Sequence, residues 1–162
     1  MWLGVAEYIT MPIGDYKNNS MLNMGANRWA FKTEASFVKG FFGKLFIDLT
    51  PKVEFYTDNT DYFNGVVSGK TQSTTPLYGL ESHLSYDFTE KFLLSLDYYY
   101  DGGGTNKTDG VKSGRRDNHA VQMTAGFKIA PQHQLLLQYM QTVKVYNGYK
   151  TNQFGVRYFY VF

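Results

Sequence analysis

Hydrophobic and polar residues alternate in steps of two along most of the chain, in eight separate blocks. That period marks extended strands whose two faces differ in chemistry. The last block, residues 153–162, is the clearest: Phe154, Val156, Tyr158, Tyr160 and Phe162 form an unbroken apolar row, and the other row begins Gln153, Gly155, Arg157. In residues 28–38, Trp29, Phe31, Thr33, Ala35 and Phe37 face away from Lys32, Glu34 and Ser36. Residues 44–56 set Leu45, Ile47, Leu49, Val53 and Phe55 against Asp48, Thr50, Lys52 and Glu54. The blocks 76–88, 91–100, 118–130 and 134–146 repeat the pattern, the last with Val143 and Val145 on the apolar row and Lys144 on the polar one. Residues 1–11 are ambiguous in register. Keeping Glu7 off an apolar face places Trp2, Ala6 and Tyr8 there instead. Pro51 cannot donate to a central ladder, so a bulge is expected at that point.

The connections alternate in length. Long polar segments at 12–27, 57–75 and 101–117 are separated by tight turns at 39–43, 89–90 and 131–133, with a further short loop at 147–150. If the C-terminal strand ends in the periplasm, every tight turn falls on that side and every long loop outside. Outer-membrane barrels show this asymmetry, an even strand number and aromatic girdles. Five apolar positions per strand, at ~3.3 Å rise per residue and ~40° tilt, give an apolar band about 25 Å tall, the height such a barrel needs. The expected fold is therefore all-β, an antiparallel up-and-down transmembrane β-barrel, forming a single domain over residues 1–162.

Composition narrows the alternatives. Aromatics make up 18% of the chain, with 14 Tyr and 13 Phe, well above a normal globular share. No apolar run approaches the ~18 residues of a spanning helix. Cysteine is absent, which removes disulfides and thiolate metal sites. A formal charge of +2 without a basic run gives no reason to expect nucleic acid. The N-terminal segment lacks the charged and apolar regions of a leader, so a signal peptide, and further strands, are expected to lie outside these residues.

Several spaced stretches carry a family resemblance: MGANRWAFKTEASF at 24–37, EFYTDNTDYF at 54–63, LSYDFTEKFLLSLDYYYDGGGTNKTDGV at 84–111, PIGDY at 12–16 and the closing strand. Together they resemble the outer-membrane proteins of the phenol meta-degradation pathway. The resemblance implies a β-barrel that passes small, often aromatic or apolar, molecules without a cofactor. Family members are usually longer on the N-terminal side, which leaves open whether these eight strands are the whole wall or the C-terminal part of one of about twelve.

The polar row supplies the candidate functional residues: Lys32, Glu34, Asp48, Lys52, Glu54, Glu81, His83, Asp87, Asp97, Lys128, Lys144 and Arg157. In a wide barrel they would line a pore and set its selectivity. In a closed eight-stranded barrel they would fill the interior as ion pairs, leaving a structural or adhesive protein. A soluble lipocalin-like barrel is the third reading. Asp101, Asp117 and His119 gather near the outer rim, but no nucleophile elbow or zinc-protease motif accompanies them, so no catalytic residue is assigned. The acidic loops lack calcium-loop spacing, and no metal site is assigned. Expected partners are outer-membrane lipid, lipopolysaccharide (through Lys107, Lys112, Arg115 and Arg116), small organic solutes and, through Phe154, Val156, Tyr158, Tyr160 and Phe162, the barrel-assembly machinery.

Overall fold

The computed structural model describes residues 1–161, and those residues form strands, turns and loops only. The strands are β1 (Trp2–Thr10), β2 (Ala30–Phe41), β3 (Leu45–Tyr56), β4 (Asn59–Tyr62), β5 (Lys70–Thr74), β6 (Leu77–Thr89), β7 (Phe92–Gly103), β8 (Asn106–Thr108), β9 (Val111–Ser113), β10 (Arg116–Ala130), β11 (His133–Lys144) and β12 (Asn152–Tyr160). Eight of them pair antiparallel in one sheet, in the order β1-β2-β3-β6-β7-β10-β11-β12. These are the eight blocks of alternating sequence, each beside its neighbour in the chain. The sheet's two edges are β1 and β12, and among the described residues they do not pair with each other.

Burial is inverted relative to a water-soluble protein. Among the described residues the buried apolar side chains are Ala30 and Leu77, whereas Thr50, Asn59, Asp97 and Thr124 are buried polar ones. At the centre of adjacent strands, Leu96 is 60% and Met123 57% exposed, while Asp97 is 4% exposed. Water would drive the opposite arrangement. A sheet that hides its polar row and presents leucines needs a hydrocarbon neighbour, and it also needs its backbone groups paired between strands, as here.

The apolar face is layered. Towards the short turns, Tyr86, Phe88, Phe92 and Phe127 form a chain of ring contacts, with successive centroids 4.8, 5.8 and 5.1 Å apart. Towards the long loops, Trp29 stacks on Phe31 at 6.3 Å and Tyr98 meets His119 at 6.0 Å. Leu84, Leu96, Met123 and Leu137 lie between the two belts. This is the sequence of layers a bilayer presents, with aromatic rings at each interface and aliphatic chains between.

Three features differ from the sequence reading. In β1 the register pairs Ala6 with Glu34 and Tyr8 with Lys32, and directly opposed residues share a face. Trp2, Ala6 and Tyr8 therefore stand on the polar face, and the Lys32 ammonium lies 4.2 Å above the Tyr8 ring. Leu3, Val5 and Ile9 take the apolar face with Phe37, Ala35 and Phe31. Three aliphatic side chains outweigh the one charge of Glu7, whose carboxylate accepts a hydrogen bond from Thr33 Oγ1 at 2.8 Å. At Pro51 there is no bulge. The β2–β3 register is the same on both sides of it, and the missing rungs are spanned by a Ser36–Thr50 hydroxyl contact of 2.8 Å.

The third difference is in the long connections, two of which fold into strands. β4, β5, β8 and β9 make a second antiparallel sheet in that order, so β5–β8 pairing ties the second connection to the third. The first connection is sewn to β4 by Asn59, which is 3% exposed. Its amide donates to Tyr16 Oη (3.0 Å) and the Ala26 carbonyl (3.3 Å), and its Oδ1 accepts from Asn27 Nδ2 and the Asp61 N–H, both at 3.0 Å. Gly14 and Gly25 also meet backbone to backbone, so closely that a Cβ on Gly25 would sit 2.9 Å from the Gly14 carbonyl oxygen. Asn59→Leu should remove all four side-chain bonds and cost the loop layer about 1–3 kcal/mol per orphaned polar group. Faster protease cleavage within residues 12–27, with the eight-stranded sheet unchanged by circular dichroism, is the expected result.

Candidate functional site

Register places Lys32, Glu34, Asp48, Lys52, Glu54, Glu81, His83, Asp87, Asp97, Lys128 and Arg157 together on the polar face. Asp97, on β7, is at the centre of the densest part. Nδ1 of His83 lies 2.9 Å from Asp97 Oδ1, which also accepts from Ser95 Oγ. Gln122 Nε2 and Thr124 Oγ1 each donate to Oδ2 at 3.1 Å, and Gln138 Nε2 reaches Thr124 at 3.4 Å. On the other side, Lys52 Nζ pairs with Glu81 Oε1 at 3.0 Å and with Asp101 Oδ1 at 3.6 Å. Glu81 Oε2 in turn lies 3.9 Å from His83 Nε2. The result is a belt of side-chain bonds from β3 to β11. Gly79 makes room for it, because a Cβ there would fall 2.2 Å from Lys52 Cε.

No buried side-chain polar atom among the described residues lacks a partner. That matters for function, because a carboxylate whose lone pairs are already filled has little left to offer a solute. Asp97 and His83 therefore brace the wall. The charges with most freedom are Lys128 and Arg157, both exposed, whereas Lys32 and Glu34 pair with each other at 2.7 Å.

The polar face also carries an apolar patch that the alternation did not announce. On the turn side of the belt, Leu93 and Leu136 close over Gly126, where a Cβ would be 2.8 Å from Leu93 Cγ and 3.0 Å from Leu136 Cδ2. Phe46 lies across Gly40 in the same way, at 3.1 Å from where its Cβ would be. In each case a glycine on one strand seats a large side chain from the next. Reading glycines opposite leucines on paired strands was the one signal available beforehand. Beyond the patch, at the turn end, is a cavity of about 730 Å³ whose lining includes Lys44, Asp87, Lys91, Leu93, Lys128 and Gln134.

Lys144 departs from its expected face. A β-bulge between His119 and Ala120 shifts the β10–β11 register, so Lys144 stands opposite His119. Its ammonium pairs with the Asp117 carboxylate on the apolar side of the loop end. Past the bulge Val145 takes the polar side, where it lines a small cavity with Tyr99, Asp101 and Thr142. An extra residue in one strand inverts the alternation beyond it. Of the rim groups, Asp117 and His119 are in contact (3.1 Å), and Tyr98 Oη meets the other ring nitrogen at 2.7 Å. Asp101 is on the opposite face with Lys52. The three do not converge.

A paired sheet with a hidden polar face, a lipid-compatible outer face, two aromatic belts and long connections gathered at one end defines the wall of a transmembrane β-barrel of the outer-membrane type. Over residues 2–158 the chain matches the family described as "Putative MetA-pathway of phenol degradation", and it belongs to that family. It is also similar to an outer membrane channel from Pseudomonas putida F1 of known crystal structure, with 28% identity and a TM-score of 0.81 over 99% of this chain. The match covers 60% of that protein, so the chain spans about that share of the channel's length. No curated protein matches the sequence.

Proposed function

We propose that the chain forms part of the wall of a passive outer-membrane channel for small organic molecules in a Gram-negative bacterium. Its polar face would be the lumen, its short turns periplasmic and its loop layer the outer mouth. The observation that carries this is the burial inversion around Asp97, together with the similarity to an outer membrane channel. Two edges that do not pair with each other among the described residues favour a wall wider than eight strands over a closed, packed, adhesive barrel. A lipocalin-like barrel would turn its leucines inward, the reverse of what Leu96 and Met123 do.

The solute would pass the loop layer, then the charged belt, then the Leu93–Leu136 patch, and leave through the cavity at the turns. That order of polar and apolar surfaces suits a molecule with a ring or short aliphatic body and one polar group. Lipopolysaccharide would meet Lys107, Lys112, Arg115 and Arg116 at the outer rim. Phe154, Val156, Tyr158 and Tyr160 would meet the barrel-assembly machinery; Phe162 lies outside the described residues. Insertion into a planar bilayer should give discrete conductance steps, and Lys128→Gln should change the cation-to-anion permeability ratio. A folded, inserted protein that carries no current would exclude the channel and leave the structural barrel.

A further inference from the structure

A third cavity lies on the opposite side of the molecule from the turn-end cavity, within the loop layer. It holds about 360 Å³ between the first long connection and the β4–β5 hairpin. Sites for small organic ligands start at about 300 Å³. Its walls are chemically mixed in a specific way. Tyr16, Tyr62 and Phe63 supply rings, Met21 and Met24 supply deformable thioethers, and Arg28 is the lining residue with a formal charge. Asn59 also lines it but is saturated by its four partners, so it shapes the cavity without contacting a guest.

Arg28 is the informative member. Its guanidinium lies 4.6 Å above the Tyr56 ring and gives one N–H to Thr74 Oγ1. No carboxylate among the described residues lies within ion-pair distance of it, although Lys32, Lys52, Lys70 and Lys144 all have one. Glu54 attracts it only through space, and Arg116 repels it. Burial pulls the guanidinium below its ordinary value, as expected for a cation removed from water without an anion beside it. Arg28 thus combines a place in the cavity lining with a planar fork that is stacked on a ring and has donors to spare, the group that receives a carboxylate.

We propose that this cavity is a capture site for small aromatic carboxylates, with Arg28 binding the anionic group and Tyr16, Tyr62 and Phe63 holding the ring. The inference rests on the channel reading for its purpose but not for its test. Arg28 precedes β2, whose polar-face residue Lys32 comes one turn of alternation below Ala30, so a captured anion would leave the site beside the next cation of the lumen.

The test is benzoate binding to the full chain refolded in detergent, followed by quenching of tryptophan fluorescence and by calorimetry. Saturable binding should appear, with benzyl alcohol and acetate each at least tenfold weaker. Arg28→Gln should weaken benzoate at least tenfold while benzyl alcohol changes little. Because Arg28 also holds Thr74, a second variant guards against local unfolding. Met21→Trp adds bulk to an exposed part of the lining and should abolish binding by calorimetry with the circular dichroism spectrum unchanged. Benzoate that fails to saturate, or that binds Arg28→Gln as well as the native chain, overturns the site. Bilayer conductance of the same preparation separates the two readings: current without benzoate binding removes the capture site alone, and binding without current removes the channel alone.

Discussion

Leu96→Arg is expected to prevent stable insertion of the chain into lipid vesicles, whereas Lys128→Gln leaves insertion intact. Leu96 stands at the middle of the apolar face, directly opposite Leu84 on one side and Met123 on the other. It lies between the two aromatic belts, two positions along β7 from Tyr98 on the loop side and four from Phe92 on the turn side. A cation on the lipid face of a barrel costs about 2–4 kcal/mol at the midplane and almost nothing near the interfaces. That is roughly one and a half to three decades in the partition between inserted and aqueous chain. Lys128 is on the other face, near the turns, where water already solvates it. Vesicle flotation reads both. Equal loss of insertion in the two variants would show that the faces have been assigned wrongly.

The second large effect is expected at Asp97. Replacing it with leucine would remove the acceptor for His83, Ser95, Gln122 and Thr124 together, on three adjacent strands. Removing one partner from a buried, hydrogen-bonded charge pair typically costs about 3–5 kcal/mol, because the remaining groups are left desolvated and unpaired. Asp97→Asn keeps an acceptor oxygen and should lose only about 1–2 kcal/mol, the difference between a charged and a neutral hydrogen bond. Urea midpoints of the protein refolded in detergent should therefore fall in the order native, Asn, Leu. If Asp97→Leu unfolds at the native midpoint, the belt is not what holds the wall, and its residues are free to serve the solute instead.

Most of the wall was readable before the structure, because a bilayer imposes a strict period of two on residues facing it. Every one of the eight alternating blocks became a strand, and the rows around Leu49, Leu84 and Met123 fell on the expected face. The misses have a common physical origin. Each occurs where a neighbouring strand, not the strand's own sequence, decides the outcome. Glu7 suggested one face for β1, but its pairing with Thr33 imposed the other. Pro51 suggested a bulge, but β6 pairs with β3 through Leu80 without a shift. Lys144 kept perfect alternation in sequence until a bulge against β10 turned it round. The loop strands β4, β5, β8 and β9 are three to five residues long and mostly polar, so they carry no period to detect. Arg28 was hidden for a similar reason. A lone arginine before a strand looks like any surface cation until Tyr56, Thr74 and the missing carboxylate are seen around it.

The two sheet edges have a consequence outside the membrane. Among the described residues β1 pairs with β2 and β12 with β11, and both edge strands lie next to a face rich in exposed leucine, phenylalanine and tyrosine. Unpaired ladders recruit other strands, and an apolar face beside them stabilises the stack once it starts. In water the chain is thus its own template for aggregation. Cytoplasmic overexpression of these residues should give inclusion bodies, and refolding should require detergent or lipid to cover the apolar face first.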